Sequence, residues 1–113
     1  MSAKLVHPIW RNDLLPVVTV TATYSDGTAV DLSDATSPKF HMRLVGSSTL
    51  KVDEAATIES PATAGRLSYS WAGTDTDTAG RYQAEFEVIL DGKRLTFPGP
   101  DQSLEIVVRE DIA

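Results

Sequence analysis

A chain of 113 residues with 42% hydrophobic and 23% charged residues has the length and composition of one globular domain with a core of its own. Its 16 acidic residues against 10 basic ones give a net charge of -6, the wrong sign for a surface that must neutralise phosphates, so no nucleic-acid partner is expected. The lack of Cys removes thiol nucleophiles, Cys-ligated zinc and disulfides together, and no apolar run reaches signal-peptide length or the roughly 20 residues of a membrane helix.

Residues 1–13 open the chain with the apolar Leu5, Val6, Ile9 and Trp10 ahead of the first clear strand, and with Pro8 among them. Pro8 interrupts a regular ladder, so this segment is expected to be an extended arm that either packs along its own domain or docks on a neighbour. From Val17 to Tyr24 every residue except Ala22 is β-branched or aromatic, which predicts a half-buried strand with Val18, Val20, Ala22 and Tyr24 on one face. Asp26-Gly27 supplies a turn, because Gly tolerates positive φ and Asp can bond its own backbone, and residues 29–32 form a short return. Residues 39–45 alternate again, with Phe40, Met42 and Leu44 inward and His41 and Arg43 outward. Two short pieces, 50–53 and 56–59, read as edge strands on either side of a one-sided alternation.

The second half continues at period two. Leu67, Tyr69 and Trp71 share the core side of a strand that starts at Arg66, and the small, polar residues 72–80 form a loop across one end of the sheets. Residues 81–90 make the longest strand, with Tyr82, Ala84, Phe86, Val88 and Leu90 inward. Asp91-Gly92 is a strong hairpin signal, since a two-residue primed turn needs positive φ at both central positions. Residues 94–97 return, Pro98-Gly99-Pro100-Asp101 breaks the strand, and Leu104, Ile106 and Val108 alternate in a last one. No segment carries helical apolar spacing over a helical length. The pattern predicts an all-β, immunoglobulin-like antiparallel β-sandwich of roughly seven or eight strands over residues 14–113, with residues 1–13 as its arm. Tyr82, at the start of a long strand behind a polar loop, matches the position of a tyrosine corner.

The chemistry-bearing residues do not assemble into a reactive constellation. His7 and His41 are far apart and neither has a carboxylate at a ligand-like sequence spacing, so no metal is expected. Asp75 and Asp77 lack the remainder of a calcium loop and are explained as turn formers, while Glu85 and Glu87 share one outward strand face that is ordinarily just solvated. There is no G-x-S-x-G elbow and no phosphate loop, so neither enzymatic activity nor a cofactor is expected. Ile9, Trp10, Arg11 and Asp13 on the arm and His41 on an outward strand face are the candidate interface residues, a Trp beside an Arg being a composition enriched at interface hot spots.

Several stretches taken together resemble the N-terminal domain of phage baseplate upper proteins and related small tail or neck proteins. They are Trp10-Arg11-Asn12-Asp13, residues 26–35 and 39–43, Gly65 to Trp71, Asp77 to Val88, and Leu95-Thr96-Phe97-Pro98. The resemblance runs from about Trp10 to Val108 and implies a sandwich used as a virion building block, without catalytic residues, assembled in the host cytoplasm. It implies other phage structural proteins as partners and a homo-oligomer, in tail, baseplate or neck, with no membrane contact. Baseplate members usually continue into a long C-terminal region that reaches a receptor-binding protein. A chain that stops soon after its last strand is therefore expected to be a repeated subunit, in which many copies multiply weak contacts. A carbohydrate-binding or host-adhesion module is the alternative, motivated by the rings of Trp10, Tyr24, Tyr69 and Trp71; with the last three expected inward, only Trp10 is left to stack on a sugar.

Overall fold

Alternation along the chain resolves, among the described residues, into nine strands: β1 (Ala3–Trp10), β2 (Val18–Thr21), β3 (Thr36–Leu44), β4 (Leu50–Ala55), β5 (Thr57–Ile58), β6 (Arg66–Tyr69), β7 (Gly80–Leu90), β8 (Lys93–Phe97) and β9 (Gln102–Arg109). The computed structural model describes residues 3–112; Met1 and Ser2 of the expected arm and Ala113 at the other end lie outside them. One turn of 3-10 helix, Ala62–Ala64, is the only helical element among the described residues. The strands form two sheets. The larger runs β1-β9-β7-β3-β4, with β8 also paired to β7, and the smaller runs β2-β6-β5. β8 and β9 lie end to end along one side of β7, β9 against Gly80–Ala84 and β8 against Phe86–Leu90, with the Pro98–Asp101 break between them.

The sandwich expectation holds, and the eight strands β2 to β9 match the number expected after the arm. The correction concerns the arm itself: it is strand β1, paired in parallel with β9 from Ala3↔Gln102 to Trp10↔Arg109, so the larger sheet is mixed and not antiparallel throughout. Pro8 is tolerated there since β1 is an edge strand, where a missing N–H on the outer side breaks no ladder bond. The expected edge pieces are edges indeed: β4 closes the large sheet and β5 the small one.

The core is the layer where the two inner faces meet. Phe40, Met42, Tyr82, Phe86, Val88, Ile106 and Val108 from the large sheet, with Ile9 from β1, face Val18, Val20, Leu67 and Tyr69 from the small one and Trp71 just beyond the end of β6, all buried. Phe40 is the aromatic hub: its ring stacks on Tyr69 at 4.6 Å between centroids, tilts against Phe86 at 4.9 Å and meets Trp71 edge-on at 5.8 Å. Such pairs add about 0.5–1.5 kcal/mol each beyond the area they bury. Tyr82 makes the bond that defines a tyrosine corner, its hydroxyl donating to the Thr78 carbonyl at 2.6 Å.

The inward assignment fails at Tyr24 and Leu44, which are 53% and 42% exposed. Both lie past the ends of the small sheet. β2 and β6 have four residues each against nine in β3, so alternation continues in the large sheet after the facing layer has run out. Tyr24 instead closes the turn, its N–H donating to Thr28 and its carbonyl accepting from Gly27, and Asp26 bonds the Thr28 N–H at 2.9 Å as the turn chemistry requires.

Candidate functional site

Strand direction brings chemically distinct residues to one end of the sandwich. β1, β3 and β9 finish there, β4, β7 and β2 begin there, and the 72–80 loop crosses it. Asn12 donates its N–H to Thr76, the Thr76 hydroxyl donates to the Asp13 carbonyl at 2.8 Å, and the Trp71 indole donates to the Pro16 carbonyl at 3.0 Å. These bonds pin residues 11–17 over the end of the core and hold Thr76 buried. Across this end stand Trp10, Leu14, Leu15 and Val17 on the first connection, Leu44, Val45 and Leu50 about the β3–β4 turn, and Ile112, all exposed; Leu15 is 71% and Ile112 88% accessible. Most of the exposed large apolar side chains of the described residues are gathered here, with Leu5, Val6 and Tyr24 elsewhere.

The outer face of the large sheet is charged. Cross-strand register sets Asp53 of β4, His41 of β3 and Glu85 of β7 in one row. The imidazole bridges them, with Nε2 3.2 Å from Asp53 Oδ1 and Nδ1 3.2 Å from Glu85 Oε2, and Lys39 Nζ lies 3.3 Å from the same Asp53 oxygen. Further along, Glu105 of β9 is buried under Lys4 and Arg81, which pair with its two carboxylate oxygens; the hydrogen bonds from Lys4 and then Arg81 hold its carboxyl below the usual carboxylate range. Near the β4 edge Lys51 pairs with Asp77, whose carboxyl is lowered by that bond first and by the Thr78 hydroxyl second. A groove of about 660 Å³ runs over this face, floored by His41, Gln83 and Glu85 and walled by Arg94, Thr96 and the Pro98–Pro100 segment.

The candidate interface residues separate on these surfaces. Ile9 is 4% exposed and belongs to the core, so its side chain contributes to no outer face. Trp10 is 40% exposed, and the Arg109 guanidinium lies 5.5 Å from its ring centroid, a cation–π contact across the β1–β9 pair. Arg11 pairs with Glu110 at 3.2 Å, and Asp13 turns the chain by donating its N–H to the Trp10 carbonyl. These three sit together at the apolar end, whereas His41 is on the outer face of β3, separated from β1 by β7 and β9. Sequence reasoning missed Leu14, Leu15 and Val45, although an adjacent apolar pair in a connection ahead of Pro16 is itself a signal. It also missed the convergence of Asp53, Glu85 and Glu87 on His41, which depends on register between strands remote in sequence.

The structure explains the other carboxylates singled out in the sequence as local ties. Asp75 accepts from the Tyr69 hydroxyl and from the Ala72 N–H, and burial first, then this bond, pushes the Tyr69 phenol above its ordinary range.

With this geometry in place, the family comparison is informative. The family model of the BppU N-terminal domain, a domain of phage baseplate upper proteins, matches residues 13–98. That span begins after β1 and ends before β9. No curated protein matches the chain. The chain belongs to the BppU N-terminal domain family.

Proposed function

We propose that this member of the family is a non-enzymatic structural subunit of a phage virion, in its tail, baseplate or neck, and that it acts by docking its apolar end on other virion proteins, copies of itself included. The observation that carries the reading is the concentration of exposed Trp10, Leu14, Leu15, Val17, Leu44, Val45, Leu50 and Ile112 at one end of the sandwich. Monomeric surfaces rarely gather large apolar side chains in this way unless something covers them. The end is also well held: buried Thr76 and the Trp71 indole fix the connection that displays Leu14 and Leu15, so the side chains are presented without a large ordering cost on docking. Family membership supports phage structural proteins as the partners.

The carbohydrate-binding alternative has less to stand on. Of the aromatic residues that motivated it, Tyr69 and Trp71 are core, and Trp10 and Tyr24 lie at opposite ends of the sandwich. They offer no shared stacking platform.

The test is incorporation into particles by Leu15→Asp and Val45→Asp variants in complementation of the phage. Both variants are expected to fold and stay soluble yet to be depleted from purified virions. Wild-type incorporation of the double variant, or absence of the wild-type chain from particles, overturns the proposal.

A further inference from the structure

We propose that His41, Glu85 and Glu87 form a binding site for a divalent transition-metal ion of the zinc class on the outer face of the large sheet. One ligand atom from each lies within 4.8 Å of the others; the His41 side chain is largely covered, and that of Glu85 is about half open to solvent. Zinc takes an imidazole nitrogen and carboxylate oxygens at about 2.0–2.2 Å in tetrahedral array, which sets neighbouring ligand atoms roughly 3.3 Å apart. The His41 Nδ1 to Glu85 Oε2 separation is already 3.2 Å, and a Glu87 carboxylate oxygen lies within 4.8 Å of the other two ligand atoms. Glu85 is directly opposite His41 in the ladder and Glu87 is two residues on, on the same face of β7, so the backbone of two central strands fixes the spacing.

The state of the imidazole argues for a cation here. A neutral ring carries one N–H, and His41 has a carboxylate on each nitrogen. When Nε2–H donates to Asp53, Nδ1 turns a lone pair toward the acceptor-only Glu85, and that arrangement is satisfied by a second proton or by a metal ion at Nδ1. Asp53 then serves the outer role common at metal centres: a carboxylate that takes the far N–H, fixes the tautomer and raises the basicity of the ligating nitrogen. The charge balance points the same way. Asp53, Glu85 and Glu87 are three carboxylates against Lys39, which pairs with Asp53 and stands opposite Glu87 in the ladder. Arg94 lines the groove, and Arg43 Nε donates to the Gln83 side-chain Oε1 at 3.3 Å. An imidazole in the set selects transition metals over magnesium or calcium, and three protein ligands leave a fourth position open to the groove. The site is independent of the docking end.

Calorimetric titration with Zn²⁺, and visible absorption with Co²⁺ as a spectroscopic substitute, test this on the full chain. One ion per chain and a four-coordinate cobalt spectrum are expected. His41→Gln should abolish binding, Glu87→Gln should weaken it, and Asp53→Asn should lower affinity about 10–100-fold, the usual effect of removing an outer-shell partner, with far-ultraviolet circular dichroism unchanged in all three. No saturable Zn²⁺ binding at millimolar metal, or binding at full strength in His41→Gln, overturns the proposal.

Discussion

Gly65 shows how a single residue without a side chain holds the two halves of the small sheet's surroundings together. Its φ is 74°, and a Cβ there would lie 2.8 Å from the carbonyl oxygens of both Ala22 and Val30, closer than real contacts allow. The same backbone is in use: the Ala22 N–H donates to Gly65 and the Val30 N–H to Ala22. Gly27 shares the positive φ, at 88°, but has open space around it. Gly27→Ala should therefore lose only the cost of a left-handed conformation, about 1–2 kcal/mol, whereas Gly65→Ala should lose clearly more, because the backbone at Ala22 and Val30 must move away. Urea unfolding of the two variants checks this, and equal midpoints would show that the contact is relaxed without cost. In the sequence Gly65 is only one breaker in a loop. Asp91-Gly92 was fully legible, and both residues have the positive φ the turn demands, 53° and 74°. A turn is encoded in adjacent residues; a close approach is encoded in a distant strand.

At the scale of elements, β1 is where local pattern and tertiary structure part. Its apolar residues are interrupted by Pro8, so nothing local marks a strand, and the partner that makes it one, β9, is at the other end of the chain. Once paired, Ile9 faces in and completes the core beside Val108, His7 opposite Ile106 is half-buried, and Leu5 opposite Leu104 stays exposed. Ile9→Ala should cost about 2–5 kcal/mol as a buried large-to-small change, while Val6→Ala, on the exposed side of the same strand and 53% accessible, should stay within about 0.5 kcal/mol. Thermal denaturation of the two variants measures the difference, and an Ile9→Ala variant as stable as Val6→Ala would return β1 to the status of a loose strap. The long strands β3, β7 and β9 were legible because each carries its own alternation. The candidate site was only half legible: the outward positions of His41, Glu85 and Glu87 follow from period two, but their meeting is set by the antiparallel register of β3 and β7.

At the scale of the molecule, the acidic surface and the one partly buried imidazole on β1 act on stability with the same sign. His7 lies with its ring 6.0 Å from Trp71, and burial lowers its pKa from 6.5, opposed in part by a bond to the Pro16 carbonyl. The unfolded chain thus takes up this proton at a higher pH than the folded one, so the stabilisation is complete above 6.5 and declines as pH falls toward the depressed folded value. Asp26, Asp31, Asp77 and Glu105 are likewise lowered, from 3.8 for the aspartates and 4.5 for Glu105, by the hydroxyl, backbone and ammonium donors that face them. Their contribution is complete above those ordinary values and is lost as pH drops through the folded ones. Acidification should therefore lower the urea midpoint in two windows, one set by a neutral His7 that must charge and one by paired carboxylates that must protonate. His7→Gln should flatten the first window and leave the second, and Glu105→Gln should soften the second and leave the first. A His7→Gln chain that kept the wild-type slope between neutral pH and the carboxylate range would show that burial of the His7 imidazole is not what sets the first window.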